Sequence, residues 1–332
     1  MSHSNISIFV PHNGCKNRCS FCNQVYITGH SVMPTELDID NAVSTALNSK
    51  KYEKKSGQIA FFGGSFTAID RNLMIDYLKC GYKHILNGSA ESIRISTRPD
   101  AINQDILDVL KQYGVKSIEL GAQSMCDDVL KANLRGHTAK DVVNASKLIK
   151  ENGFELGLQM MMGLYKSDEQ KDLYTANEFV KINPDTVRIY PTVVLKNTLL
   201  ETLYKSNEYK PLDIDKAAKN GAKLLKLFYD NNINVIRFGL HSIDKDSFIA
   251  GAFHPAISEL AQGYIYRNII EEKINDKGFY TIFVNKKELS KAIGQKKSNI
   301  EYFKKKHIFL DILPNEKIGK YNIKVQERNG EV

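Results

Sequence analysis

Seven short apolar runs, each followed by a longer helix-like stretch, constrain the fold of this chain more than any other feature. They read ISIFVP from Ile6, QIAFFGG from Gln58, SIRIST from Ser92, SIELGAQ from Ser117, ELGLQMMMG from Glu155, TVRIYP from Thr186 and VIRFGL from Val235. The intervening pattern is helical. In AINQDILDVLKQYG, Ile102, Ile106, Val109 and Leu110 share one face, and Gly114 stands where a helix C-cap belongs. Strands alternating with helices make right-handed βαβ units and therefore a parallel sheet. Six or seven such units suit an α/β fold of the full or partial TIM-type (β/α) barrel kind better than a doubly wound sheet. Such a barrel carries its chemistry at the C-terminal ends of its strands.

Directly after the first run, GCKNRCSFC at residues 14 to 22 gathers three of the chain's five cysteines. Cys15, Cys19 and Cys22 are spaced C-x3-C-x2-C. Three thiolates on one loop hold three irons of a cubane cluster and leave the fourth iron open to a substrate. Structural zinc is the other reading, with His12 completing a Cys3His set. An odd number of cysteines, three of them too close to pair comfortably, argues against a disulfide framework and for a reducing compartment, hence a cytoplasmic protein. Cys80 and Cys126 read as core or incidental thiols. No apolar run approaches the roughly 18 residues of a membrane span, and MSHSNISIFVP lacks the charged and apolar regions of a leader, so no membrane is expected. At 332 residues, 42% hydrophobic and 25% charged, the chain has the composition of a large domain, alone or with an appendage.

The pattern C-x3-C-x-aromatic-C, met by Cys15, Cys19, Phe21 and Cys22, resembles the signature of the radical S-adenosylmethionine (SAM) enzymes. That resemblance implies a 4Fe-4S cluster on the three cysteines, whose unligated iron chelates SAM. An electron, from a donor such as flavodoxin or ferredoxin, then cleaves SAM to a 5'-deoxyadenosyl radical that abstracts hydrogen from a substrate. FFGGSF at residues 61 to 66 resembles the family's glycine pair, which implies that the turn of Gly63, Gly64 and Ser65 receives the methionine ammonium. Only glycine lets a main chain approach so closely, although such a pair by itself is a strand-ending turn.

STRPD (96 to 100), GAQS (121 to 124) and NLRGHT (133 to 138) resemble the elongator catalytic subunit and the oxygen-independent coproporphyrinogen oxidases. On that resemblance Ser96 and Arg98 belong to the cofactor site, Gln123 contacts the ribose and Arg135 pairs with the methionine carboxylate. Read alone, Arg135 is a surface residue. RIYPTVVLKNTLLETLYKSNEYKPL, residues 188 to 212, is similar to the elongator segment after the sixth strand. Tyr190, Pro191 and Thr192 then face the active-site mouth, or form a structural turn set by Pro191. The resemblance runs from about residue 6 to 262, including FHPAISELAQG. Two departures stand out: Ser96 where elongator relatives carry glutamate, and MMMGLYK where they continue MPGLPG. There is no Q-x-x-G-x-G/A acetyl-CoA motif and no C-terminal cysteine array, so neither an acetyltransferase domain nor a second cluster is expected.

The formal net charge is +8, and between residues 278 and 306 eight lysines face two glutamates. FYTIFVNKKELSKAIGQKKSNIEYFKKKHIFLDIL, from Phe279, reads strand, helix, tight turn, helix, strand. IGQKKSNI at 293 to 300 resembles the G-x-x-G turn of KH RNA-binding domains, with Lys297 replacing the second glycine. On that resemblance Gly294, Lys287, Lys291, Lys296 and Lys297 clamp RNA phosphates. The other reading is a solvated, lysine-faced cap on the barrel. The expected organisation is a barrel core with its elaboration over 1–262 and a small basic, KH-like α/β extension over 263–332. The leading function is a radical SAM enzyme acting on RNA, tRNA in particular. A tetrapyrrole or other small-molecule substrate, and a non-enzymatic zinc- and RNA-binding protein, are the alternatives.

Overall fold

A computed structural model describes residues 4–11, 18–23, 32–50, 52–240, 243 and 245–328. All seven expected strands form: β1 (Ser4–Val10), β2 (Gly57–Gly63), β3 (Ser92–Thr97), β4 (Val115–Gln123), β5 (Glu155–Met162), β6 (Thr186–Pro191) and, after a short β7 (Val193–Leu195), β8 (Asn234–Phe238). They make one parallel sheet in the order β1-β2-β3-β4-β5-β6-β8. Because β1 and β8 do not pair with each other, the barrel is partial and open along the free edge of β8.

The helices α1 (Glu36–Leu47), α2 (Arg71–Leu86), α3 (Gln104–Gln112), α4 (Asp127–Ala132), α5 (Ala139–Glu151), α6 (Glu169–Ile182), α7 (Leu199–Lys205) and α8 (Ile214–Asp230) alternate with the strands. Their local chemistry explains their ends. Asn103 caps α3 by accepting from the Ile106 amide at 2.9 Å, Tyr113 closes it, and Gly114 follows at φ +71°, a left-handed conformation that suits glycine. Ile102 precedes this helix, and the buried stripe is Ile106, Leu107 and Leu110. Thr35 and Thr138 form capping boxes with Asp38 and Asp141.

Successive strand residues point to opposite faces. Ile93, Ile95, Ile118, Leu120, Leu156 and Leu158 are buried in the core between sheet and helices. Their neighbours turn into the barrel, where Glu119 accepts from Arg94 Nη1 at 2.8 Å, Gln159 Nε2 at 2.9 Å and Arg188 Nη2 at 3.0 Å. Gln58 Oε1 accepts from Arg94 Nε at 2.8 Å and extends this polar layer to β2. It lies below the strand ends and forms the floor of the mouth.

Beyond β8 come β9 (Phe248–Gly251), antiparallel to β7, and α9 (Ile257–Lys273). The strand, helix, turn, helix, strand succession follows as β10 (Gly278–Val284), α10 (Leu289–Ile293), α11 (Ser298–Lys304) and β11 (Ile308–Pro314). A further strand, β12 (Lys324–Arg328), pairs antiparallel with β10 on the side opposite the parallel β11. Helix α9 runs unbroken through residue 262, so barrel and extension share it. Asn299 Nδ2 donates to Gly263 O at 2.9 Å, and the Tyr321 amide donates to the Tyr266 hydroxyl at 3.1 Å. Among the described residues no helix is long and apolar enough to cross a membrane.

Candidate functional site

Cys19, Phe21 and Cys22 follow β1 at the C-terminal end of the sheet, while Cys15 and His12 lie outside the described residues. The cysteine loop is fixed from two sides. The Ser20 amide donates to Asn133 O at 3.1 Å and its hydroxyl to Asn133 Oδ1 at 2.6 Å, while the Leu200 amide donates to Ser20 O at 2.9 Å. Fully buried Asn133 in turn donates to Val129 O at 2.8 Å and Tyr165 O at 2.9 Å. Phe21 packs against the cluster of Val194, Leu200 and Tyr209. The NLRGHT stretch and the segment after β6 are therefore the two struts of this loop.

Around it stand the ends of β2, β3 and β4. Gly63 sits at φ +115°, and a Cβ there would lie 2.5 Å from Val10 O. A glycine is required, and the Gly64 amide donates to that same carbonyl at 2.7 Å. Buried Ser65 shares a 2.8 Å hydrogen bond with Thr97 Oγ1, and the Arg98 amide donates to Ser65 Oγ at 3.1 Å, tying the glycine turn to the STRPD turn. The Arg98 side chain forks onto Asp100 of that turn, at 2.8 and 2.6 Å.

Strand β4 ends irregularly: the register with β5 shifts between Leu120 and Gln123, and Gln123 adopts φ +67°. A non-glycine residue in the left-handed region at a strand end stores strain of the order of 1–3 kcal/mol, the kind found at binding sites. Gln123 is buried and its Oε1 has no partner; the same holds for Ser96 Oγ and Arg135 Nε. Each such orphan costs roughly 1–3 kcal/mol in a closed protein interior. The two other ends of the Arg135 guanidinium are engaged, Nη1 donating to Cys19 Sγ at 3.0 Å and Nη2 to Gly121 O at 2.5 Å.

His137, two residues on, is buried against Ala122 O at 3.2 Å, and burial, helped by the Arg135 charge, pushes its pKa down to about 4. Asp172, accepting from the Gly163 amide at 2.8 Å and Ser167 Oγ at 2.7 Å, is raised to about 6 by burial and holds the MMMGLYK loop. Tyr190, partly buried at the end of β6, has its phenol pKa raised by burial, and Pro191 and Thr192 beside it are buried. Sequence reasoning missed Ser20, Thr97, Asn133 and His137, although all four lie inside motifs it had singled out.

Cys80 lies on α2, whereas Cys126 stands in the turn between β4 and α4 with its thiol 4.0 Å from Lys171 O. Cys80 is buried, its thiol pushed up to about 11 by burial and by the nearby Asp40 and Glu36 carboxylates. In the extension, Gly294 takes φ +80°, Lys296 φ +53° and Lys297 φ +61°, so the turn between α10 and α11 is left-handed at both lysines. Lys291 pairs with Glu288 at 2.8 Å. Lys287 is the first residue after the Asn285 cap to donate its amide to the Asn285 side chain, at 2.9 Å.

A profile of the radical SAM superfamily matches residues 9–176, and a profile of the Radical_SAM C-terminal domain matches residues 184–267. The tRNA uridine(34) acetyltransferase of Dehalococcoides mccartyi (strain CBDB1) is 26% identical over 230 residues, which cover 59% of this chain and 50% of that protein. Elongator complex protein 3 of Dictyostelium discoideum is 34% identical over 150 residues, covering 44% and 27%. The chain thus matches half or less of the length of these relatives. In fold it is similar to Elp3 of the archaeon Methanocaldococcus infernus, with a TM-score of 0.61 at 19% identity over 82% of this chain and 64% of that one.

Proposed function

Because the chain belongs to the radical SAM superfamily, and so is an enzyme using a 4Fe-4S cluster and SAM, we propose that it modifies an RNA, of the tRNA class, at the mouth formed by the ends of β1 to β4. The observation that carries this placement is the meeting of Cys19, its Arg135 donor and three orphaned buried polar atoms at one end of the sheet. Those residues fit the cofactors: thiolates for iron, and unsatisfied oxygen and nitrogen atoms for a polar ligand. The bound group supplies one-electron cleavage of SAM to a hydrogen-abstracting 5'-deoxyadenosyl fragment.

The chain's own part is holding and shielding. Cys19 and Cys22, with Cys15, are the cluster ligands. Arg135 Nη1 donates to the Cys19 sulfur and orients it, and its unpaired Nε serves the SAM carboxylate. Gly63 and Gly64, with the turn fixed by Ser65, bring backbone carbonyls to the ammonium. Gln123 Oε1 and Ser96 Oγ are acceptors for the ribose hydroxyls. Arg98 keeps Asp100 and the turn in place. Phe21 seals the loop against the 194 to 209 segment and limits water. The reducing electron comes from a separate donor of the flavodoxin or ferredoxin class.

Support for RNA comes from the names borne by the relatives and from the extension. There, within 263–332, the turn of Gly294 and the left-handed Lys296 and Lys297, with Lys287 and Lys291 ahead of it, is the part that would clamp phosphates. The test is anaerobic incubation of the reconstituted enzyme with SAM, dithionite and unmodified tRNA, followed by nucleoside mass spectrometry. Parental enzyme forms 5'-deoxyadenosine and a new nucleoside, and Cys19→Ala forms neither. A Cys19→Ala enzyme that cleaves SAM at the parental rate would remove the cluster assignment. SAM cleavage with every RNA nucleoside unchanged would remove the RNA assignment alone.

A further inference from the structure

Along the barrel's open side runs a cleft of about 620 Å³ that the chemistry of the mouth does not use. Its floor is the unpaired edge of β8, and its walls are the end of α8 with Tyr229, the approach to α9 with His254, and the loop between β11 and β12 with Lys320 and Tyr321. Gly239 and Leu240, just past the C-terminal end of β8, also line it, so one end of the cleft opens at the level of the strand ends. The volume falls within the roughly 300–1,000 Å³ typical of ligand sites.

The charge of this cleft is one-sided. Arg237, Lys320 and His254 line it, and among the described residues no aspartate or glutamate does. Arg237 is anchored by donating to Gly239 O and Leu240 O, both at 2.9 Å. Lys320 is different. Its ammonium stands 4.6 Å from the Tyr321 ring centre and 5.5 Å from that of Tyr229, and among the described residues no carboxylate lies within ion-pair distance of it. Glu288, an acid whose charge reaches it, is held by Lys291 at 2.8 Å. The Tyr229 hydroxyl donates to Lys320 O at 3.1 Å and fixes ring and lysine together, while 39% of Tyr229 stays exposed.

A cation with no carboxylate at ion-pair distance among the described residues, a half-exposed aromatic ring and a concave wall whose described charged residues are all basic together match a phosphate and its base. Single-strand binders combine a basic track with rings for stacking, each stacked base adding roughly 1–3 kcal/mol. The cleft adjoins the extension: Gln262 on α9 lines it, and the next residue, Gly263, packs against the Gly294 turn, where a Cβ on Gly263 would lie 3.9 Å from Gly294 Cα.

We propose that this cleft takes one nucleotide step of a single-stranded RNA segment, phosphate on Lys320 and base on Tyr229, and so leads the strand from the extension along β8 to the mouth. The inference rests on the reading of RNA as substrate.

It is tested on the reconstituted full chain with a fluorescein-labelled single-stranded RNA of about 12 nucleotides, long enough for one binding track. Lys320→Ala should raise Kd about fivefold near 0.1 M salt and reduce the slope of log K against log salt by about 0.7, the loss of one single-strand phosphate contact. Lys320→Arg should restore both, and 5-iodouridine in the RNA should photocrosslink to Tyr229. Wild-type binding with an unchanged Lys320→Ala affinity and slope would overturn the cleft and leave the RNA reading intact. Wild-type protein that binds no RNA would overturn both. Displacement of the RNA by poly-glutamate as readily as by unlabelled RNA would overturn the cleft as a nucleotide site and replace it with one for acidic peptides.

Discussion

Replacing Glu119 with glutamine isolates the polar layer beneath the mouth. Glu119 is 1% exposed and Arg94 4%, so neither charge is hydrated. One carboxylate oxygen accepts from Arg94 at 2.8 Å and Arg188 at 3.0 Å; the other accepts from Gln159 at 2.9 Å and lies 2.9 Å from Arg188 Nε. Glutamine keeps the shape but turns one acceptor into an NH2 group that must face an arginine or amide donor. It also leaves two guanidinium groups in one buried layer, with Glu155, at 3.7 Å from Arg94 and about half exposed, as the remaining acid. Removing one partner of a buried ion pair costs roughly 3–5 kcal/mol, and a chain of this size loses on the order of 2 °C in Tm per kcal/mol. The expectation is a loss of about 4 kcal/mol and roughly 8 °C by urea and thermal unfolding. Glu119→Gln with Arg188→Met should recover more than half, because the double change removes the uncompensated cation that the single change creates. A Glu119→Gln protein within about 1 kcal/mol of the parent would refute the reasoning, since the buried charges would then have another source of compensation.

Further perturbations test the extension and the struts of the site. Lys296→Glu with Lys297→Glu should weaken RNA retention and flatten its salt dependence in filter binding, with unchanged binding counting against the phosphate-facing turn. His137 is buried with a pKa of about 4, below its unfolded value of about 6.5, so as pH falls the unfolded chain takes up the proton first. Its contribution is therefore present above pH 6.5 and lost on descent towards pH 4, by up to roughly 3 kcal/mol. His137→Gln should remove that component, seen as a sloping difference between the two stability curves; a flat difference would contradict it. Asn133→Ala strips the Ser20 hydroxyl of its acceptor and two carbonyls of their donor, and should cost about 2–3 kcal/mol while loosening the cysteine loop. The measurement is iron per chain and the rate of cluster loss to a chelator, and parental retention would show that the loop is held by other means.

The sheet was legible because parallel strands, covered on one face by helices, carry apolar runs such as SIRIST and SIELGAQ within themselves. Strands β7, β9 and β12 were not, because their pairing rests on partners far along the chain, and KVQER contributes Val325 as its one partly buried residue. The same division holds in the site. Gly63 and the cysteines announce themselves through backbone need and spacing. Arg94 and Glu119 look like ordinary alternating strand polars until barrel curvature turns them towards each other, and Ser20 meets Asn133 across 113 residues of chain. Motif membership alone also fails to separate a ligand contact from scaffold. Arg98 belongs to the STRPD stretch, yet its guanidinium closes a fork on Asp100 two residues away. Gln123, Ser96 and Arg135 belong to comparable stretches, yet each leaves a buried polar atom unmatched. Unmatched atoms also occur at His84, His137, Ser146 and Arg188, so it is their coincidence with motif residues at the ends of β3 and β4, rather than the motif or the atom alone, that points to where a ligand sits.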